Sequence, residues 1–304
     1  MVRLSALPLL LCLLTPSPVI ADLSAKEVEV NGVRLQYVEQ GSGEPVVFVP
    51  GGLQDLRGFE PVREEITKRE EVANKYRYIA LTQRYYGTGP WPDEGKHFSV
   101  ATHARDLAKF ISALNAGPVH LVGYSYGGAV ATTAALKNPS LVRSLTVYEP
   151  ALLPVLPAES EGGKAAREDR TKFVGSAITA AEDGDSIQAA RLFIEGVFQL
   201  PPGGFDRLPQ ATQTRVLENA RVMPLMLAAI QRHTMTCDML RNFTHPTLIM
   251  RGEKTQAYYV LINNAVGKCL PGAQEVVLQN VNHNGPVRDP AAFTAAVLEF
   301  LSQR

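Results

Sequence analysis

The sequence carries no surplus of either charge: 30 lysines and arginines are matched by 30 aspartates and glutamates over 304 residues. A nucleic-acid-binding surface needs a basic excess, so no nucleic-acid partner is expected. The apolar stretch near the start, Leu4 to Leu14, falls short of the ~20 residues a bilayer span requires. No Cys/His spacing of a metal site is present, and cysteine itself is scarce, with three in all. Internal repeats and low-complexity tracts are absent, which removes repeat architectures. What remains is a chain that is 45% hydrophobic, enough for one large core or a core with a smaller insertion.

The first residues read as an export signal. Arg3 gives a weakly positive start, Leu4 to Leu14 is apolar but for Ser5 and Pro8, and Thr15-Pro16-Ser17-Pro18 breaks any helix. Val19-Ile20-Ala21 supplies small or branched residues at the −3 and −1 positions of a cleavage site. The expectation is a signal peptide cut after Ala21, a secreted or periplasmic protein, and no stable membrane insertion afterwards; an uncleaved anchor is the alternative. Cys12 lacks the small preceding residue that lipoprotein processing would want. Cleavage removes Arg3 alone among charged residues, so the mature chain stays within one unit of neutral. Export means an oxidising compartment, where Cys237 and Cys269 can form one disulfide or stay as two buried thiols.

Along the chain, Glu27–Val30 and Val33–Val38 are β-rich and joined by Asn31-Gly32, a hairpin signal. Pro45 to Val49 is a continuous apolar strand stopped by Pro50-Gly51-Gly52. Tyr78–Leu81, Val119–Gly123 and Leu145–Tyr148 are further strands. Ser99 can cap a helix to about Leu114, and an Ala- and Gly-rich helix is expected from Gly127 to Leu136. From Ala151 to about Arg241 the pattern is helical, as in Ile187–Phe198 and Thr212–Arg232, with interruptions expected at Gly162-Gly163 and Pro201–Gly204. Strands return at Thr247–Met250 and Glu275–Leu278, and Pro290–Leu301 closes the chain as a helix. The alternation predicts an α/β fold: a mostly parallel sheet with helices on both faces. Residues 22–150 and 242–304 form the core in this reading, and 151–241 a helical cap.

Gly123-Tyr124-Ser125-Tyr126-Gly127 fits G-x-S-x-G, with a strand before it and a helix after it. Ser125 would occupy a sharp, strained turn with its hydroxyl above the sheet, and the glycines leave room where strand meets helix. The Tyr126 amide then starts a helix and can face a developing negative charge. An ordinary turn serine is the bland alternative.

With these motifs the chain resembles the α/β-hydrolase superfamily over roughly residues 27 to 303. The resemblance implies an oxyanion-hole amide just after the strand ending at Val49. By position this is Gly52, paired with Tyr126, although Pro50 stands where a histidine is usual. It implies a base on the loop after the last strand, which is His283 in Asn282-His283-Asn284-Gly285. His120, inside a strand, reads as a core residue, and His97, His103, His233 and His245 lack the context. The usual acid would follow the penultimate strand as Gly-x-x-Asp, but Gly252-Glu253-Lys254-Thr255 puts Thr255 there. Two substitutes remain: Glu149, at the end of the strand after the nucleophile helix, and Glu253. Arg84 reads as structural, and Tyr85, Tyr86 and Trp91 as pocket mouth or loop packing.

The function implied is hydrolysis of a carboxylic ester, or another small-molecule acyl substrate, by a serine, a histidine and an acid, with no cofactor. Lactonase, thioesterase, C–C hydrolase and perhydrolase chemistry can use the same constellation. A binding protein that kept the fold without catalysis is the alternative from another class.

Overall fold

The computed structural model describes residues 24–270 and 272–304; the expected signal segment lies outside them. Among these residues eight strands form one sheet: β1 (Lys26–Val30), β2 (Val33–Gln40), β3 (Glu44–Val49), β4 (Tyr76–Leu81), β5 (Val119–Tyr124), β6 (Val142–Tyr148), β7 (Thr247–Gly252) and β8 (Gln274–Leu278). Their order is β1-β2-β4-β3-β5-β6-β7-β8. The β1–β2 hairpin and β2–β4 are antiparallel, and every other pair is parallel. The carboxyl ends of β3, β5, β6 and β7 therefore lie side by side.

Among the described residues, twelve α-helices accompany the sheet: α1 (Glu60–Thr67), α2 (Glu70–Lys75), α3 (Val100–Ala113), α4 (Tyr126–Lys137), α5 (Glu161–Glu182), α6 (Ser186–Val197), α7 (Gln210–Glu218), α8 (Met223–Arg232), α9 (Cys237–Arg241), α10 (Ala257–Cys269), α11 (Gly285–Arg288) and α12 (Pro290–Ser302). Alternate strand residues serve opposite faces. Val47, Val49, Leu121 and Val147 pack with α3 and α4 in one buried cluster. Val46, Phe48, Val122 and Met250 pack with Val62 and Ile66 of α1 and Phe293 and Val297 of α12 in another. Both faces are covered, which is why these strands read as unbroken apolar runs. Ser99 caps α3 by accepting from the Thr102 amide. His120 is buried, with Nδ1 2.7 Å from Ser144 Oγ and Nε2 2.9 Å from Glu44 Oε2.

Between β6 and β7 lie α5 to α9 and no strand. Two expectations there are corrected. Gly162-Gly163 does not interrupt the helical pattern but forms the first turn of α5. Ser160 caps that helix by accepting from the Gly163 amide at 3.0 Å, and a side chain at 163 would collide with the Pro157 carbonyl. The glycine is there for close approach, not as a breaker. Thr212–Arg232 is not one helix. α7 ends at Glu218, Ala220–Val222 is a 3-10 turn, and Pro224, which lacks an amide proton, begins a new helix in the first turn of α8. Short α1 and α2, and α10 after β7, carry no periodic signal strong enough to have been read.

Cys237 at the start of α9 and Cys269 at the end of α10 are joined as a disulfide, with their Cα atoms 5.0 Å apart. The loop it closes spans a sequence separation of 32 residues. Constraining a loop of that size in the unfolded chain contributes on the order of 3 kcal/mol. Cys269→Ser is therefore expected to lower the thermal midpoint by several degrees, and reduction of the wild type to do the same. Identical midpoints for oxidised and reduced protein would contradict this.

Candidate active site

Three strand ends build the site, and each ends in strain. Leu53 beyond β3, Ser125 beyond β5 and Glu149 beyond β6 have φ of 58°, 51° and 43°, a region that residues with a side chain rarely adopt. Ser125 is held there by main-chain bonds. Its amide donates to Tyr148 O at 3.0 Å, and its carbonyl accepts from Gly128 and Ala151, each at 2.9 Å. The turn is possible because residue 127 has no side chain: a Cβ there would strike the carbonyls of Val49 and Pro50. A Cβ at Gly123 would lie 2.7 Å from the Gly127 carbonyl. Ser125 is thus a strand-to-helix corner, half-buried, immediately before α4.

His283 lies on the loop between β8 and α11 and is 2% exposed. Its Nε2 is 3.0 Å from Ser125 Oγ, and its Nδ1 is 2.7 Å from Glu149 Oε2. Two phenols fix that loop. Tyr124, one residue before Ser125, donates to the His283 carbonyl at 2.7 Å; Tyr148, one residue before Glu149, donates to the Asn282 carbonyl at 2.6 Å. Because neighbouring strand residues face opposite ways, each strand end offers a tyrosine to the loop's backbone and the next residue to its imidazole. The Tyr259 ring of α10 stacks on the imidazole, with centroids 4.0 Å apart and planes 11° apart. Burial pushes the Tyr124, Tyr148 and Tyr259 phenols well above their ordinary pKa, so the wall around the imidazole is neutral.

Of the two glutamates, the structure brings one to the imidazole. The Glu149 side chain is fully buried and all its contacts are donors. Oε1 accepts from the Gly252 amide at 2.8 Å, and Oε2 accepts from the Thr255 hydroxyl at 2.9 Å as well as facing His283. Glu253 is exposed and instead accepts from the Asn280 amide at 3.0 Å, the loop cap of a surface turn. Thr255, which reads in sequence only as a missing aspartate, is a hydrogen-bond donor to the carboxylate from the turn just beyond β7.

Gly52 and Tyr126 lie at the ends of β3 and β5, which are adjacent. Among the described residues neither amide finds an acceptor. Gln83 Nε2 donates to the Pro50 carbonyl at 3.0 Å and steadies the turn. Met226 of α8 packs its sulfur where a side chain at 52 would be, so only glycine leaves room for it. Arg84 is paired with Asp106 at 2.7 Å and donates to the Asn31 carbonyl, tying the loop after β4 to the first hairpin. Tyr85 and Tyr86 are buried in an aromatic cluster with Phe98 and His103, and Trp91 packs edge-on against Tyr85. No group of three or more metal-type ligands occurs among the described residues, and none of their helices is long and apolar enough to cross a membrane.

A mostly parallel sheet with helices on both faces and a strained serine at a strand-to-helix corner defines an α/β hydrolase. The model of the α/β-hydrolase fold matches residues 44–289, and the chain belongs to that family. It is 27% identical to the 2-(acetamidomethylene)succinate hydrolase of Mesorhizobium japonicum, covering 91% of this chain and 95% of that one. It is 25% identical to the serine hydrolase BPHL of Mus musculus, covering 92% and 87%. Among solved structures, the esterase EaEST of Exiguobacterium antarcticum superposes with a TM-score of 0.72 over 90% of this chain and 97% of that one, at 23% identity.

The packing at the corner generates a sharp expectation. Gly127→Ala must displace β3 or α4 and should cost about 3 kcal/mol or more. Gly89→Ala, where open space surrounds the added methyl, should be close to neutral. Urea midpoints of the two variants check this, and equal midpoints would refute it.

Proposed function

We propose that this hydrolase cleaves carboxylic esters or related acyl compounds, with Ser125 as nucleophile, His283 as general base, Glu149 as the acid that orients it, and the Gly52 and Tyr126 amides as oxyanion donors. The observation that carries the reading is the unbroken chain of contacts from Ser125 Oγ through both ring nitrogens of His283 to Glu149. An ionised Glu149 can only accept, so Nδ1 carries the ring proton and Nε2 is free to take one. As Ser125 Oγ attacks the acyl carbon, its proton passes to Nε2, and the negative charge that grows on the carbonyl oxygen is met by the two amides. One such donor is worth roughly 3 kcal/mol in the transition state. The imidazolium then returns the proton to the leaving group, and water repeats the sequence to release the acid. The stacked Tyr259 ring keeps the imidazole in plane during both transfers.

Helices α5 to α9 are the cap in this reading, excluding bulk water and shaping the pocket, with Met226 set against Gly52. The Mesorhizobium relative, by its name, hydrolyses a small succinate derivative, and a small acyl compound is the substrate class we assign. Lactones, thioesters and activated C–C bonds belong in the same screen. We also propose export with cleavage after Ala21; the disulfide between Cys237 and Cys269 is what an oxidising compartment would preserve. The secreted protein should then begin at Asp22 by N-terminal sequencing, and retention of Met1 would count against it.

A fluorophosphonate should label the mature protein stoichiometrically, and Ser125→Ala should abolish the labelling; an unlabelled wild type would reduce the chain to a binding protein with a hydrolase fold. In ester turnover, Glu149→Gln should lower kcat by about 10⁴, while Glu253→Gln stays near wild type. Thr255→Val removes one hydrogen bond to a charged group and should lower kcat by about tenfold, with Thr255→Ser restoring most of it. The reverse ranking of the two glutamates would transfer the acid role to Glu253.

A further inference from the structure

The imidazole of His283 meets two aromatic rings. Tyr259 of α10 lies nearly parallel to it, with centroids 4.0 Å apart and planes 11° apart. The Tyr124 ring is tilted by 45° at 5.1 Å. Tyr259 is buried and well fixed. Its ring packs edge-on against Tyr258 at 4.9 Å and against Phe173 of α5 at 6.0 Å. Its amide donates to the Gln256 carbonyl at 3.1 Å, and its carbonyl accepts from Asn263 Nδ2 at 2.8 Å. The ring is therefore a fixed part of the wall around the imidazole, not a loose surface group.

Two neutral aromatic rings gain most from offset or edge-on packing, with centroids roughly 4.5–7 Å apart. The Tyr259–His283 pair is closer than that. An aromatic face carries the negative part of the ring quadrupole, and it attracts a cation placed over it within about 6 Å of the centroid. A neutral imidazole offers that face little charge, whereas an imidazolium offers a full one. The attraction therefore grows as the reaction proceeds, because a base at rest is neutral and becomes a cation only when it takes the serine proton. Burial strengthens such an interaction by excluding water from around it. Interactions that strengthen toward the transition state raise kcat and leave substrate binding alone. Glu149 meets the imidazolium at its edge, through Nδ1 at 2.7 Å. Tyr259 meets it at its face.

We propose that the Tyr259 ring is a cation–π partner of His283 and stabilises the imidazolium that forms as Ser125 loses its proton. The inference deepens the proposed function and rests on its assignment of Ser125 as nucleophile and His283 as base. Tyr259 acts through the imidazole and is a positioning residue whose electrons, not only its shape, matter. The two contributions can be separated. Fluorine withdraws electron density from the face of a ring while changing its size little, so a ring that only fills space tolerates fluorination and a cation–π partner does not.

The test uses two probes, turnover of p-nitrophenyl acetate and inactivation by diisopropyl fluorophosphate. In the second, Ser125 Oγ bonds to phosphorus, fluoride leaves and the serine proton passes to Nε2, so the same transfer is read whatever the natural substrate. Tyr259→Phe, which keeps the face, should stay near the wild-type rate. Phenylalanines carrying one, two and three fluorines, incorporated at position 259, should then lower kcat and the inactivation rate step by step. With three fluorines the loss should reach roughly 3- to 30-fold relative to Tyr259→Phe, with KM unchanged. Tyr259→Leu should fall about as far. Equal rates along the fluorinated series would overturn the proposal and leave Tyr259 a packing residue, even if Tyr259→Leu is slow; so would a loss confined to KM. Should Tyr259→Leu not fold, the fluorinated rings decide alone. If the wild type reacts with the fluorophosphate but not with the ester, the ester reading fails and the inactivation series still decides this proposal. A wild type inert to both probes removes the base role from His283, and the proposal falls with it.

Discussion

A carboxylate with no access to water must be met on every side, and Glu149 is where this protein meets that demand. Burying an ionised carboxylate is prohibitive unless hydrogen bonds replace its hydration. Here the replacements come from three separate pieces of chain: the Gly252 amide at the end of β7, the Thr255 hydroxyl just beyond it, and the His283 imidazole from the loop after β8. The register that aligns Tyr148 with Met250 sets this up, and the Glu149 amide continues it by donating to the Met250 carbonyl at 3.0 Å. A slip between β6 and β7 would strand the carboxylate. The sheet is therefore constrained at that point by a side chain as much as by its own ladder.

The same constraint explains the strained backbone. Leu53, Ser125 and Glu149 all take left-handed φ at neighbouring strand ends, a cost of order 1–3 kcal/mol each. Turning the chain there lifts the side chain or the amide over the strand ends, and the surrounding contacts hold the turn in place. For Ser125 these are the bonds to Tyr148, Gly128 and Ala151; for Glu149 they are Met250 and its own carboxylate's partners. The two phenols of Tyr124 and Tyr148 then fix the backbone of the His283 loop from below. The imidazole is positioned by main-chain anchors, and its contacts with Ser125 and Glu149 do not have to supply that order themselves.

How much of this was legible in the sequence follows from how local each feature is. The corner at Ser125 is written into five consecutive residues, because the steric demand between β5 and α4 falls on Gly123 and Gly127 themselves. The strands were legible because a sheet covered on both faces leaves unbroken apolar runs. The choice between Glu149 and Glu253 was not, since it depends on the lateral spacing of β6, β7 and the loop after β8, which no short stretch encodes. Thr255 misled for the same reason: along the chain it is a gap in a motif, and only across strands is it a donor. α5 was obscured because a glycine pair signals a break unless one knows that the Pro157 carbonyl presses against it.

The helices between β6 and β7 are joined to the sheet side by polar contacts placed close to the site. Asn219, fully buried, donates to Asp55 on the turn beyond Gly52 and accepts from the Gly87 amide at 2.6 Å. Arg221 donates to the carbonyls of Gly87 and Gly89 and lies over the Trp91 ring. One short turn between α7 and α8 thus grips both the turn after β3 and the loop after β4. Buried polar links of this kind have directional partners, so they admit one arrangement where apolar packing alone would tolerate several. Met226, packed against Gly52, is held in register with the strand ends by the turn itself. Changes on the outer faces of α7 and α8 can then leave the site untouched, whereas a change at Asn219 would reach the Gly52 turn and the two helices together.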